Sequence, residues 1–390
     1  MTGKYRAAVV GGAGMWGNKY LKAFAEHPDC EVILVDSARE RRQPFVDHFG
    51  IQTVYDTVEE MLAAEVPDIV SAILPVDQAP AAVIACAQAG VKAVSCEKPI
   101  AVELSVADEM VRVCRESGTA FGCATAYWEM PFLPELSQWI ADGNIGRIVS
   151  AAIPGGLPVE VAGAGCVQLT MLRLLTRMEV DWIEGWVNEP EDGYRAPEAT
   201  DLETDCPAFG RLGLSNVSSA RAPVETPGET PGETPVGIEC EILEPRSELR
   251  TPCRVSVTCE NGRVWLTQPE PVIIQGTGSK AAPVRPDFLD EERPRRSMRP
   301  AVERLVRAVE IGAVDVPCSG HDYRQALEIA IGIKLSAHSD HERVNLPLAS
   351  RSHRIYPHPY RMRGGDVVGW ESIGYEGPPE VEHRVRRRHG

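Results

Sequence analysis

The sequence predicts an α/β domain built on a doubly wound parallel sheet, followed by an α+β domain with a mostly antiparallel, open sheet. Two observations support this order. Short β-branched runs alternate with helical patterns over the first 125 residues, and from residue 147 onward the strand candidates follow one another with few helices between them. At 390 residues, the chain is long enough for about two domains.

Four nearly apolar runs predict the strands of the first domain, because strands of a parallel sheet are covered on both faces. They read YRAAVVGG, CEVILVDS, PDIVSAILP and KAVSCEKP. Helical patterns at 16–27, 38–49, 78–89 and 105–117 predict the connecting helices. The alternation ends near residue 125, so we place the first domain at residues 1–125.

Five strand candidates mark the second domain, which we place at residues 126–348. They read RIVSAAI, VDWIEGWV, VGIECEIL, CRVSVTC and GRVWLTQ, and the turn ENG predicts a hairpin between the last two. Helices are expected at 163–177, 298–312 and 322–337. The last one is preceded by the capping box SGHD and is a candidate to pack back on the first domain.

Three stretches are expected to lack regular structure. The acidic segment 188–205 and the repeat ETPGETPGETP at 225–235 predict solvated loops, because a proline at every fourth residue forbids a helix or a continuous strand ladder. Residues 349–390 form a C-terminal arm rich in Pro, Gly, Arg and Tyr, and we expect its basic end to fray rather than to function.

The composition favours a small-molecule partner. With 40 Lys and Arg against 56 Asp and Glu, the net charge of −16 repels nucleic acid and anionic membranes. No run approaches the roughly 18 apolar residues of a membrane span, and the polar N-terminus leads directly into a predicted strand, so we expect no cleavable signal. The eleven cysteines form no CxxC pair, so we expect reduced, buried thiols of a cytoplasmic protein and no metal site.

The segment VVGGAGMWGNKY predicts a dinucleotide-binding site. Gly12, Gly14 and Gly17 have the spacing G-x-G-x-x-G between a strand and a helix. The first glycine permits the tight turn, the second lets backbone N–H groups approach a pyrophosphate, and the third lets the helix pack closely on the strand.

Asp36 at the end of the second strand favours NAD over NADP, because a carboxylate there accepts the ribose hydroxyls and repels a 2′-phosphate. Arg39 and Arg41 nearby leave a dual preference open. The predicted cofactor contacts are Gly12, Gly14, Met15, Trp16, Gly17, Asp36, Ser37, Leu74, Pro75, Glu97 and Lys98.

The segment SCEKPI ends a strand with Glu97-Lys98-Pro99 and so puts a cation at the carboxyl edge of the sheet, where ligands of doubly wound sheets bind. Lys98 beside a nicotinamide can hydrogen-bond a substrate hydroxyl or carbonyl. The alternative is a surface lysine paired with Glu97.

These motifs resemble the Gfo/Idh/MocA family, which includes glucose-fructose oxidoreductase and inositol dehydrogenase. The resemblance runs from the glycine motif through VDS, AILP, AQAGVKAVSCEKPI and YWEMPFLPELSQWIADGNIGRIVSAAI to VNLPL, over about residues 5–348. It implies a Rossmann domain, a nicotinamide cofactor, and a sugar, inositol or sugar-acid substrate. It also implies that Lys98 contacts the reacting hydroxyl and that the open sheet forms the interface of a homodimer or homotetramer.

The sequence departs from the family in the helix that follows the first strand of the second domain. The family typically has an Asp there and a His four residues later, whereas Gly163 and Val167 hold those positions in this chain. Neither residue can titrate, and no histidine lies between residues 49 and 320. A proton-transfer group must therefore come from elsewhere.

Several side chains remain as catalytic candidates. Tyr127 at the domain junction can donate a hydrogen bond or act as a base, and an aromatic anchor is the alternative. Gln168 can orient a hydroxyl, and His321 is either an acid–base group or a solvated residue of a first helical turn. Tyr194 and Glu129 are further possibilities. The predicted catalytic set is Lys98, Tyr127, Gln168 and His321.

Three functions are compatible with these observations. The leading hypothesis is an NAD-dependent oxidoreductase that transfers hydride at a secondary alcohol or ketone of a carbohydrate-like substrate, with Lys98 polarising the oxygen. The second is an enzyme that keeps and recycles its NAD during elimination, epimerisation or glycoside cleavage, a strategy that relatives of the family use. The third is a non-catalytic dinucleotide-sensing protein, against which the retained Glu-Lys-Pro motif argues.

Overall fold

The computed structural model describes residues 4–190, 199–216, 237–245, 251–291, 296–358 and 361–362. Tyr194, the repeat at 225–235 and the end of the C-terminal arm lie outside the described residues. The chain divides into two compact units. The first consists of Met1–Trp128, Arg296–Arg324 and His358–Gly390, and the second of Glu129–Arg295 and Gln325–Pro357.

The first unit contains a parallel six-stranded sheet in the order β3-β2-β1-β4-β5-β6. The predicted doubly wound sheet is confirmed, and the short strands β3 and β6 are additional to the four that were expected. Its strands are β1 (Tyr5–Val10), β2 (Cys30–Val35), β3 (Thr53–Tyr55), β4 (Ile69–Ala72), β5 (Ala93–Cys96) and β6 (Ala120–Cys123). Its first helices are α1 (Gly17–Ala25), α2 (Arg39–Phe49), α3 (Val58–Ala64), α4 (Ala79–Gln88), α5 (Leu104–Glu116) and α6 (Thr125–Glu129).

Helices cover this sheet, so its strands are buried. Every residue of β4, β5 and β6 is buried. The side chains of Tyr20, Leu21 and Phe24 on α1 are also fully buried. Full burial of such a side chain contributes about 1.5–3 kcal/mol to the stability of the fold. Because these positions must be apolar, the apolar pattern of the sequence was enough to locate these elements.

The second unit contains a nine-stranded sheet in the order β14-β13-β12-β11-β7-β10-β9-β8-β15. Only the β7–β10 pair is parallel among its described pairs, so the predicted mostly antiparallel sheet is confirmed. Its strands are β7 (Ile148–Ile153), β8 (Glu179–Val187), β9 (Ala208–Ser215), β10 (Gly237–Ile242), β11 (Val255–Cys259), β12 (Gly262–Leu266), β13 (Val272–Gln275), β14 (Ala282–Pro283) and β15 (Val344–Asn345). Helix α7 (Leu133–Ala141) precedes β7, and α8 (Cys166–Thr176) lies between β7 and β8 in the sequence and packs against β7 and β11.

The predicted ENG hairpin is confirmed, since Cys259 pairs with Gly262 across a two-residue loop. Strand β9 was not expected, because glycines in a strand remove the alternating pattern that predicts one. The structure explains why one of these positions requires a glycine. A Cβ at Gly213 would lie 1.9 Å from the indole nitrogen of Trp182, so only a glycine leaves room for that ring on the strand.

Helix α9 (Arg299–Ile311) belongs to the first unit and packs against β5 and β6. The expected domain boundaries differ from the structure at this point, since residues 296–324 had been placed in the second domain. The amphipathic face of α9 explains the difference, because it buries Val302, Leu305 and Val306. A Cβ at Gly122 of β6 would lie 3.2 Å from Leu305.

Helix α10 (Gly320–Ala337) begins in the first unit, and from Gln325 onward it belongs to the second. Its predicted capping box is confirmed, since the Asp322 carboxylate accepts the backbone N–H and the hydroxyl of Ser319 at 2.8 and 2.9 Å. Within the described ranges, no helix is long and apolar enough to cross a membrane.

Candidate cofactor site

A cavity of about 740 Å³ lies at the carboxyl ends of β1, β2, β4 and β5, and we call it the cofactor cavity. Its position is the point where the strand order reverses, which is where doubly wound sheets bind ligands. Of the predicted cofactor residues, only Gly12 is absent from its lining. The others that line it are Gly14, Met15, Trp16, Gly17, Asp36, Ser37, Leu74, Pro75, Glu97 and Lys98.

The glycine turn at the end of β1 has little room for any side chain. Gly11, which the motif did not single out, takes the left-handed conformation (φ 70°), and a Cβ there would lie 2.3 Å from the Ile73 carbonyl oxygen. The tight turn therefore depends on Gly11 rather than on Gly12. A Cβ at Gly17 would lie 1.9 Å from the Gly11 carbonyl oxygen, so the predicted close approach of α1 to the strand is confirmed. This bare backbone fits a pyrophosphate.

The Asp36 carboxylate is fixed at the end of β2 by backbone donors. One oxygen accepts the N–H of Ala13 at 3.1 Å, and the other accepts the N–H of Ala38 at 2.9 Å. Arg41, which also lines the cavity, lies 3.5 Å from the second oxygen. Arg39, by contrast, pairs with Asp56. Arg41 is therefore the arginine that lies beside the predicted ribose-binding carboxylate.

Glu97 at the end of β5 accepts two hydroxyl hydrogen bonds. Tyr20 donates to one carboxylate oxygen at 2.6 Å, and Thr125 donates to the other at 2.7 Å. Burial, together with the charge of Glu97, raises the pKa of Tyr20 well above its usual value. The phenol therefore stays protonated and keeps donating, so the carboxylate is held in one orientation.

Lys98 shares its end of the cavity with an indole. Its ammonium nitrogen lies 5.9 Å from the centroid of the Trp16 ring, and Trp128 meets that ring edge-on at a centroid distance of 5.3 Å. A cation beside an aromatic face suits a polyol, because the ring can contact apolar C–H groups while the ammonium donates to a hydroxyl.

The other catalytic candidates are not among the residues that line the cofactor cavity. The Tyr127 hydroxyl donates to the Pro317 carbonyl at 2.8 Å, under the Arg304 guanidinium, an arrangement typical of a buried anchor. His321 is exposed in the first turn of α10. Gln168 is buried on α8 and belongs to the second unit. Glu129, a further candidate, pairs with Arg254.

A buried carboxyl pair, which the sequence did not reveal, lies at the start of α8. The Glu160 carboxylate occupies the space beside Gly163, where a Cβ would lie 2.5 Å from its oxygen. Asp205 faces the same turn and accepts the N–H groups of Val161, Ala162 and Gly163 at 2.7, 3.1 and 2.8 Å. Burial and then the charge of Glu160 raise the pKa of Asp205 to about 7. The Glu160 carboxylate thus occupies the space that a side chain at position 163 would take.

The fold and the cofactor cavity define the first unit as a dinucleotide-binding domain of the Rossmann type. Residues 5–125 match the family described as "Oxidoreductase family, NAD-binding Rossmann fold" (GFO_IDH_MocA). These residues are therefore similar to that family, and the predicted resemblance and the nicotinamide dinucleotide as cofactor are confirmed.

Two curated relatives match the chain in part. D-apiose dehydrogenase of Paraburkholderia graminis is 29% identical over 144 residues, which is 37% of this chain and 38% of the relative. Trans-1,2-dihydrobenzene-1,2-diol dehydrogenase of Mus musculus is 30% identical over 173 residues, which is 40% of this chain and 50% of the relative. The matched region thus spans half or less of each relative.

Solved structures match nearly the whole chain. Aldose-aldose oxidoreductase from Caulobacter crescentus, complexed with glycerol, has a TM-score of 0.66 at 17% identity, covering 88% of this chain and 100% of that one. The WlbA dehydrogenase from Bordetella pertussis, in complex with NADH and UDP-GlcNAcA, has a TM-score of 0.62 at 18% identity, covering 89% and 99%. Levoglucosan dehydrogenase, complexed with NADH and levoglucosan, has a TM-score of 0.63 at 15% identity, covering 88% and 100%. At these identities the similarity shows the two-part fold.

Proposed function

We propose that the protein is an NAD-dependent oxidoreductase that transfers hydride at a secondary alcohol or ketone of a sugar-like, inositol-like or sugar-acid substrate. This proposal rests on one observation. A single cavity is lined by Lys98, the Trp16 ring, the glycine turn and Asp36. The names of the similar proteins, which include an apiose dehydrogenase and a levoglucosan dehydrogenase, support a carbohydrate substrate.

Each part of the cavity has a role in this reaction. Asp36 binds the adenosine ribose, and the bare backbone around Gly11 and Gly17 accommodates the pyrophosphate. NAD, when bound, supplies the hydride acceptor. The Tyr20 and Thr125 hydroxyls keep the Glu97 carboxylate oriented at the end of β5.

Lys98 polarises the substrate oxygen. In the direction of oxidation Lys98 reacts as the neutral amine, which accepts the hydroxyl proton as the hydride leaves the carbon, so that its growing positive charge stabilises the negative charge that develops on oxygen. The ammonium formed in this step then releases the proton to water, because Tyr127 already donates to the Pro317 carbonyl. Gly163 and Val167 carry no titratable group, so this route replaces the Asp and His of the family.

Turnover of a panel of sugars, inositols and sugar acids tests the proposal, with NADH absorbance as the readout. Lys98→Met is expected to lower kcat by about 10²–10⁴-fold, the usual contribution of a general acid–base group, and to leave the Kd for NAD nearly unchanged. The matched control is Lys92→Met, which removes an exposed lysine paired with Asp68 and is expected to leave kcat unchanged.

Two results would lead to other functions. Tight NAD binding without turnover, combined with no effect of Lys98→Met on ligand binding, would identify a dinucleotide sensor and refute an enzyme. Substrate turnover with no net change in NADH absorbance would identify an enzyme that recycles its cofactor. Light scattering on the purified protein tests the homodimer or homotetramer that we include in the proposal.

A further inference from the structure

The C-terminal arm returns to the cofactor cavity. From His358 onward the chain belongs to the first unit again, and Arg361 lines the cavity. The Arg361 carbonyl accepts the N–H of Val76 at 3.0 Å, and the Arg361 N–H donates to the His358 carbonyl at 2.9 Å. Two backbone hydrogen bonds therefore fix this residue, which lies in the arm to which the sequence assigned no role.

The residue that Arg361 contacts lies at the centre of the predicted dinucleotide path. Val76 is in the loop between β4 and α4, and β4 neighbours β1 where the strand order reverses. Gly11 at the end of β1 approaches Ile73 at the end of β4, so the two strand ends adjoin. A dinucleotide in such a sheet places its pyrophosphate at this boundary, between the ribose site and the nicotinamide site.

The cations of the cavity lie at three separate positions along this path. Among its lining residues, three are cations: Arg41, Lys98 and Arg361. Arg41 lies beside Asp36 at the ribose end, and Lys98 follows β5 at the nicotinamide end. Arg361 is the cation that is hydrogen-bonded to Val76, next to the boundary between β1 and β4. A diphosphate bound at this boundary carries two negative charges. A guanidinium matches phosphate oxygens with paired N–H donors.

We propose that Arg361 is a cofactor-binding residue whose guanidinium donates hydrogen bonds to the pyrophosphate of the bound dinucleotide. The C-terminal arm then completes a site whose other contacts come from residues 10–99. The inference rests on the proposed function for the identity of its ligand, a diester of diphosphate.

Isothermal titration of the full-length protein with ADP-ribose tests this inference, because ADP-ribose carries the pyrophosphate but lacks the nicotinamide and needs no turnover. Arg361→Met is expected to weaken the Kd for ADP-ribose and for NAD by a similar factor, about ten- to a hundredfold, as for other charge-assisted hydrogen bonds. Arg361→Lys keeps the charge and is expected to restore part of the affinity. Arg115→Met, at an exposed position of α5, is the matched control.

Ionic strength separates a direct contact from a structural effect. If Arg361 pairs with the pyrophosphate, the Kd of the wild type rises more steeply with salt than that of Arg361→Met. The reason is that salt screens the pair of charges in the wild type, whereas the variant has no such pair to screen. A chain that ends at Pro357 is expected to bind ADP-ribose as weakly as Arg361→Met.

Three outcomes would overturn the inference. ADP-ribose affinity of Arg361→Met within twofold of the wild type would refute the contact while leaving the proposed function intact. Tighter binding by the chain that ends at Pro357 would show that the arm obstructs the cavity. Failure of the wild type to bind either ADP-ribose or NAD would overturn both the inference and the proposed function.

Discussion

Replacing Glu160 with Gln is expected to make the stability of the second unit less dependent on pH. Burial and the charge of Glu160 raise the pKa of Asp205 from 3.8 to about 7. The folded protein therefore holds a proton between these pH values that the unfolded chain releases. The stabilisation that this proton provides is complete below about pH 4 and is lost as the pH rises through 7.

The size of the effect follows from the shift. One pKa unit corresponds to about 1.4 kcal/mol, so between about pH 5 and pH 8 the wild type is expected to lose roughly 3 kcal/mol through Asp205. Glu160→Gln removes the repulsion but not the burial, which is the larger cause of the shift. The loss of stability is therefore expected to shrink in the variant without disappearing, by about 1 kcal/mol for each unit by which the pKa of Asp205 falls.

Denaturant unfolding at about pH 5 and about pH 8 measures this difference. Tryptophan fluorescence follows the unfolding, and Trp182 and Trp186 on β8 contribute to it from the second unit. The control is Glu241→Gln, which removes an exposed carboxylate from β10 and is expected to preserve the pH dependence of the wild type. An unchanged pH dependence in Glu160→Gln would show that the two carboxyls do not interact and would refute this reasoning.

Three further substitutions test the cofactor cavity. Asp36→Ser leaves Arg41 in place and removes a carboxylate that repels a 2′-phosphate. The Kd for NADP divided by the Kd for NAD should therefore fall by about tenfold or more. An unchanged ratio would contradict the role of Asp36. Tyr20→Phe leaves Glu97 with one fewer donor and should lower kcat/KM by about ten- to a hundredfold, whereas wild-type kinetics would mean that the phenol has only a packing role. Gly17→Ala forces a Cβ within 1.9 Å of a backbone oxygen and should abolish NAD binding in calorimetry; retained affinity would refute the close packing of α1.

The sequence predicted those parts of the fold and site that depend on neighbouring residues. The apolar runs located β1, β2, β4 and β5 because each run is buried on both faces whatever lies elsewhere in the chain. The predicted cofactor residues cluster in the segments that directly follow these strands, so locating the strand ends also located most of the residues that line the cavity. The sequence did not reveal that Gly11, rather than Gly12, adopts the left-handed conformation. The two glycines are adjacent, and only the close approach to the Ile73 carbonyl distinguishes Gly11.

What the sequence could not predict depends on pairs of residues that are distant in the chain. Asp205 lies in an acidic stretch that was interpreted as a loop, and nothing local shows that it meets Glu160. Arg361 reaches Val76 across most of the sequence, and an arm rich in proline and arginine has the composition of a frayed end. The environment of Tyr127 was likewise decided by a distant partner, the carbonyl of Pro317.

The place of α9 in the first unit affects how the protein can be made. This helix starts at Arg299, so a ribosome synthesises the whole of β7–β14 before the Rossmann sheet receives its last covering helix. Until then, the surface of β5 and β6 that α9 covers stays open to chaperones and to other nascent chains. A gene fragment that stops at residue 125 encodes the entire glycine motif, but its protein product lacks α9 and leaves that surface exposed. This product should therefore be recovered from inclusion bodies. Co-expression of a peptide spanning residues 296–324 should improve its recovery as soluble protein.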